Sequence, residues 1–187
     1  QRLLQSGARV SLWDVDATAA AEAKKTLAEH GTVDTQTVEL TDADAVATAT
    51  ENTLAALGHI DILCNNAGTN VRVGFEELEP EQFRLIVDVN LTGTYLGCRA
   101  VGEPLKQASG GAILNIGSLS SHHHGGSSGY TASKTAILAI TKNVALGYAK
   151  YGIRCNVICP GHVDTPFIRA DAPHSRNDWS TSADNPE

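Results

Sequence analysis

A short β-branched apolar run, a polar turn and a helical stretch recur in that order along the chain. Side chains alternate across a strand and return every three to four residues on a helix, so the change of period marks alternating strands and helices. Candidate strands are Ala8–Trp13, Thr37–Leu40, Ile60–Cys64, Ala112–Ile116 and Arg154–Cys159. All are short and mostly apolar, as strands covered on both faces of a parallel sheet are. Between them, Thr18–His30 is rich in Ala and Lys, has Asp16 as its cap and stops at Gly31. Asp42–Leu57 follows Thr41, carries Asp44 three residues on, and stops at Gly58. Pro80 opens another helix after Glu79, and Ser128–Lys150 carries Ala136, Ile137, Ile140, Val144 and Leu146 before Gly152. The pattern predicts an α/β doubly wound parallel sheet in a single domain spanning 1–187.

The two ends read differently. Gln1–Ser6 resembles the last turn of a helix with no capping signal before it, and 169–187 is polar and without period, a loop, lid or tail. With 42% apolar residues the composition is that of a globular chain, which excludes disorder for most of it. Fourteen basic against 21 acidic residues leave a net charge of -7, which excludes a nucleic-acid or anionic-membrane partner as the main business of the chain. Apolar runs are too short to span a bilayer and no signal-peptide layout opens the chain, so the expected compartment is the cytoplasm. Cysteines at 64, 98, 155 and 159 lack the density of a disulfide scaffold and read as small buried apolar side chains. Cys155 and Cys159 would face one side of a strand roughly 13 Å apart, too far for a shared metal.

The candidate chemistry begins with Tyr130 and Lys134, four apart on a helix and therefore on one face. Their plain reading is a helix-surface pair. The chemical one is that a phenol, a poor base at neutral pH, gains from a neighbouring ammonium that favours its ionised form, and can then exchange a proton with an alcohol or ketone oxygen. Ser118 ends the run Ile113–Ser118 at the carboxyl end of a strand, where open parallel sheets bind ligands. A turn serine capping an amide is its plain reading, better suited to Ser120 and Ser121. Asn65-Asn66-Ala67-Gly68 ends the preceding strand, where small residues let a flat ring approach the backbone.

In order, Asn65-Asn66-Ala67-Gly68, Asn90 within Val89-Asn90-Leu91-Thr92-Gly93, Ser118, Tyr130-xxx-Lys134 and Pro160-Gly161 resemble the short-chain dehydrogenase/reductase family from Gly7 to Phe167. The resemblance implies a Rossmann-like fold and hydride transfer between a nicotinamide cofactor and a secondary alcohol or ketone. It implies Tyr130 as general acid/base, Lys134 as the group that tunes it and holds the nicotinamide ribose, and Ser118 as the residue that orients the substrate oxygen. Asn90 would complete a tetrad, its backbone carbonyl holding a water at a local break in its helix. Asn66, Ala67 and Gly68 would face the cofactor, Glu39 and Leu40 would flank the adenine, and Pro160 and Gly161 would open a nicotinamide loop in which the Val163 backbone and the Thr165 hydroxyl hold the carboxamide. An Asp is more usual at position 39. Homo-oligomers, tetramers or dimers, are implied as well, built on the faces near Asn90–Lys106 and Ser128–Lys150.

Asp14, ending the strand that begins at Ala8, can accept both ribose hydroxyls and repel a 2′-phosphate, and no Lys or Arg occurs from Val10 to Ala23; NAD is expected over NADP. His122-His123-His124 cannot converge on one ion in regular structure and has no companion ligand, so no metal is expected. Substrate choice is expected in Thr69–Phe75, His122–Gly129 and the segment after Thr165, with Arg72, His122 and His124 pointing to a polar or anionic substrate. The strand and glycine-rich phosphate loop that should precede residue 8 are not in this sequence, nor are the family's last helix and strand. The sequence therefore reads as a fragment of a longer enzyme, unstable and inactive alone, with an empty lane in its sheet between the strands at Ala8 and Ile60. The alternative function is a non-catalytic dinucleotide-binding or structural subunit.

Overall fold

The computed structural model describes residues 1–123, 125–165 and 167. In chain order the elements are α1 (Arg2–Gln5), β1 (Val10–Asp14), α2 (Ala17–Leu27), β2 (Val33–Thr37), α3 (Ala43–Leu57), β3 (Ile62–Asn65), α4 (Pro80–Val87), α5 (Gly93–Ala100), α6 (Gly102–Gln107), β4 (Gly111–Ile116), α7 (Ser128–Tyr148) and β5 (Ile153–Ile158). The strands are parallel: Val10 pairs with Val33, Ile62 with Ala112 and Gly111 with Ile153. They form two sheets, β1-β2 and β3-β4-β5, with no ladder between β1 and β3 among the described residues. The doubly wound α/β class and the empty lane both match the expectation. The segment 169–187 and His124 lie outside the described residues.

The largest departure from the sequence reading is β2, which runs Val33–Thr37 and not Thr37–Leu40. The apolar residues Val38 and Leu40, either side of Glu39, misled because the strand's own inward residues are polar. Ser11 Oγ donates to Asp34 Oδ2 at 2.7 Å, and the Gln36 amide donates to Thr53 Oγ1 at 2.9 Å and to the Ala49 carbonyl at 3.1 Å. Trp13 Nε1 donates to both Ser11 Oγ and Thr53 Oγ1 at 3.1 Å. A satisfied network lets Asp34 and Gln36 lie beneath α3 without the cost of an unpaired buried polar group. Beyond it, Val38 and Leu96 join Val46 and Ala49 in a small apolar core with Trp13 and Leu40 against it.

Caps also moved. Asp42, not Thr41, caps α3, its Oδ1 accepting from the amides of Asp44 and Ala45, while Thr41 turns back onto Glu39. Asp16 caps α2 as expected. β5 ends at Ile158, so Cys159 lies past the strand. Cys98 and Cys155 are buried in a second core with Val101, Leu105 and Ile113, but Cys64 is exposed and Cys159 half-buried, which corrects the reading of all four as interior. No described helix is long and apolar enough to cross a membrane.

Candidate functional site

At the carboxyl ends of the strands, where main-chain groups of a parallel sheet are left without ladder partners, lies a cleft of about 890 Å³. It is lined from Trp13 and Asp14 at one end, through Glu39, Leu40 and the turn Asn66-Ala67-Gly68, to Ser118, Tyr130, Lys134 and the loop Pro160–Thr165. Every expected cofactor residue (Asp14, Glu39, Leu40, Asn66, Ala67, Gly68, Tyr130, Lys134, Pro160, Gly161, Val163 and Thr165) lines this one cleft.

Tyr130 and Lys134 share a face of α7, the Lys134 Nζ standing 5.8 Å from the Tyr130 ring centre. Lys134 is buried and its Nζ donates to the Ile116 carbonyl at the end of β4 at 2.8 Å. Burial, which disfavours the ammonium, pulls Lys134 down to about 8, opposed by the nearby Cys159 thiol. At neutral pH it therefore remains mainly charged.

Ser118 lies where β4 passes into the short turn Leu119–Ser121, and its Oγ accepts from the Ser120 amide at 3.1 Å. The capping part assigned to Ser120 and Ser121 is thus taken by Ser118 as well. Accepting uses one lone pair of the hydroxyl and leaves its proton to donate. Ser121 completes the turn by accepting from the Ser118 amide and donating to the Lys134 carbonyl at 2.8 Å.

Asn90 is fully buried and stands behind the cleft wall, in a single π-helical turn, Asp88–Thr92, between α4 and α5. The expected break in the helix is there. Its carbonyl accepts from Thr94 Oγ1 at 2.8 Å, which uses one of that oxygen's two lone pairs. The side chain grips Thr69: Oδ1 accepts from the Thr69 amide at 2.7 Å and Nδ2 donates to the Thr69 carbonyl at 3.0 Å, and to Ser133 Oγ at 3.0 Å. A Cβ on Gly68 would come within 3.2 Å of Asn90 Oδ1 and 3.5 Å of Lys134 Nζ, so the turn passes these groups closely because residue 68 has no side chain.

Several expectations shift in detail. Glu39 Oε1 accepts from the Thr41 amide and hydroxyl, turning its carboxylate into the local bend. Asp14 Oδ1 accepts from the Asp16 amide at 2.9 Å, which orients the carboxylate at the cleft end that Asp14 lines. Thr165 donates to the Val163 carbonyl at 3.4 Å. His122 is exposed and absent from the cleft lining, whereas Arg72 and His162 belong to it. Sequence reasoning misses Ser133 and marks Thr69, Asn70 and Ser127 only as members of the substrate-determining segments, since isolated Ser, Thr and Asn in loops and helix caps give no pattern to read. Together they fasten α7 to the turn after β3 through Asn90 and one another.

The family description "short chain dehydrogenase" matches residues 1–175. The 2-(R)-hydroxypropyl-CoM dehydrogenase of Xanthobacter autotrophicus is 39% identical over 184 residues, covering 94% of this chain and 74% of that protein. The 3beta-hydroxysteroid dehydrogenase 2 of Eggerthella lenta is 38% identical over 169 residues, covering 88% of this chain and 65% of that protein. Among solved structures, NAD+-bound xylitol dehydrogenase superposes with a TM-score of 0.86 at 28% identity, over 89% of this chain and 65% of that one. Levodione reductase superposes with 0.87 at 31% identity, over 90% and 67%.

Proposed function

The chain belongs to the short-chain dehydrogenases, and on that premise we propose that the protein containing it is an NAD-dependent oxidoreductase that interconverts a secondary alcohol and a ketone. The observation that carries the reading is the convergence of Ser118, Tyr130 and Lys134 on the same cleft as Asp14 and Pro160–Thr165. A nicotinamide dinucleotide fits the residues present. A carboxylate ends β1 to take ribose hydroxyls, the turn at Gly68 has no side chain to obstruct a flat ring, and the cleft runs without interruption between them. When bound, it supplies or accepts the hydride. The single charge at Asp14, with no basic residue between Val10 and Ala23, favours NAD over NADP, since a 2′-phosphate would meet a carboxylate.

The chain's own groups handle the proton. Ser118 donates to the substrate oxygen and fixes its position, so charge developing on that oxygen meets a preset donor. Tyr130 takes the proton of the alcohol, or returns it to the ketone oxygen, as general base or acid. Lys134, held by the Ile116 carbonyl at the end of β4 and sharing a helix face with Tyr130, brings a positive charge to the phenol and would hold the ribose hydroxyls of the cofactor. Asn90 acts through Thr69, fixing the turn that carries Gly68. Free thiols at all four cysteines support a reducing compartment such as the cytoplasm. Exposed Phe83, Leu85 and Tyr95 on α4 and α5 support a homo-oligomer.

Tyr130→Phe in the full-length protein tests this reading. Turnover should fall by roughly 10²- to 10⁴-fold, the usual worth of a positioned acid/base, with the NAD dissociation constant within about threefold of the parent. Retained turnover would overturn it.

A further inference from the structure

Ser127, the cap of α7, is buried; its Oγ accepts from the Tyr130 amide at 3.4 Å and donates to Asn70 Oδ1 at 2.7 Å. With the Ser127 proton given to Asn70 Oδ1, the other end of the amide, Nδ2, is turned away from Ser127. A Cβ built on Gly126, at φ +77°, would lie 3.4 Å from Asn70 Nδ2 and 2.8 Å from Tyr130 Cδ1. The amide nitrogen and the edge of the phenol ring therefore share one patch of wall, and both residues line the cleft. Two residues on, Arg72 also lines it, so this wall carries donors and a positive charge while the acidic residues Asp14 and Glu39 sit at the far end.

We propose that Asn70 is a specificity-determining residue whose Nδ2 donates to a second oxygen on the carbon next to the reacting carbinol. The favoured substrates are then vicinal diols and α-hydroxy ketones over plain secondary alcohols. The inference rests on the dehydrogenase reading above and names the substrate class of the same site. A donor whose rotation is fixed by a hydrogen bond at its other end discriminates against a substrate lacking the matching acceptor, because the amide would lose its water without gaining a partner.

The test uses the full-length protein with NAD+, comparing trans-1,2-cyclohexanediol with cyclohexanol in the parent, Asn70→Asp and Asn70→Ala. Asn70→Asp keeps the volume and an oxygen for Ser127 but replaces the donor with a charged acceptor. The parent should favour the diol by at least about tenfold in kcat/KM, and the ratio should collapse to about one or below in both variants. A parent without diol preference, or a preference that survives Asn70→Asp, overturns the proposal. Equal loss on both substrates also overturns it, since Asn70 would then act only through Ser127 on the helix. If the parent oxidises neither alcohol, the dehydrogenase reading falls and takes this inference with it.

Discussion

Lys134 is a buried cation in the wall of the cleft, and its environment makes it a pH-dependent element of stability. Its folded value is about 8, set by burial, against 10.5 in the unfolded chain. Between those values the unfolded chain holds the extra proton, so stability from this group rises with pH across that window and is lost as pH falls through about 8. Lys134→Met should therefore flatten the pH dependence of urea unfolding between pH 8 and 10.5, measured against the parent under the same conditions; an unaltered slope would refute the burial argument. Tyr130, Lys134 and Ser118 were legible in the sequence because spacing on a helix and position at a strand end are one-dimensional facts. The Asn90 side chain was not, since its partner Thr69 lies 21 positions away and only the fold brings the two together.

Elements were legible where period and composition agreed, as in α7 and β4, and misread where a polar network lies inside. β2 is the case in point: Asp34 and Gln36 look like solvent-facing residues until Ser11, Trp13 and Thr53 supply their partners. A similar network seats α5 on the second sheet. Asn65 Nδ2 donates to Asn115 Oδ1 at 2.9 Å and Asn115 Nδ2 to Thr141 Oγ1 at 3.0 Å, while Gly97 of α5 leaves room for Asn65. A methyl at position 97 would stand 2.5 Å from Asn65 Oδ1. Gly97→Ala is accordingly expected to destabilise the full-length protein by about 1 to 3 kcal/mol, the usual range for overpacking, read as a lower urea midpoint. An unchanged midpoint would mean that α5 shifts freely, contrary to its packing.

At the level of the whole molecule, the two sheets meet without a shared ladder. They are joined by helix packing, with Leu96 of α5 in one core and Cys98 in the other, and by Arg9, whose guanidinium lies 3.3 Å from His59 Nδ1. Among the described residues β1 and β3 each have one strand edge without a ladder partner, which is an aggregation hazard as well as a loss of cooperativity. Expressed by itself, the 187-residue chain is expected to melt broadly and to bind NAD weakly; a single sharp calorimetric transition with tight binding would contradict this. The cofactor cleft crosses the junction of the two sheets, with Asp14 on one side and Ser118 on the other. A dinucleotide lying along it would act as a rivet, so that whatever loosens the seam weakens its grip, and occupancy in turn clamps the halves together by mass action.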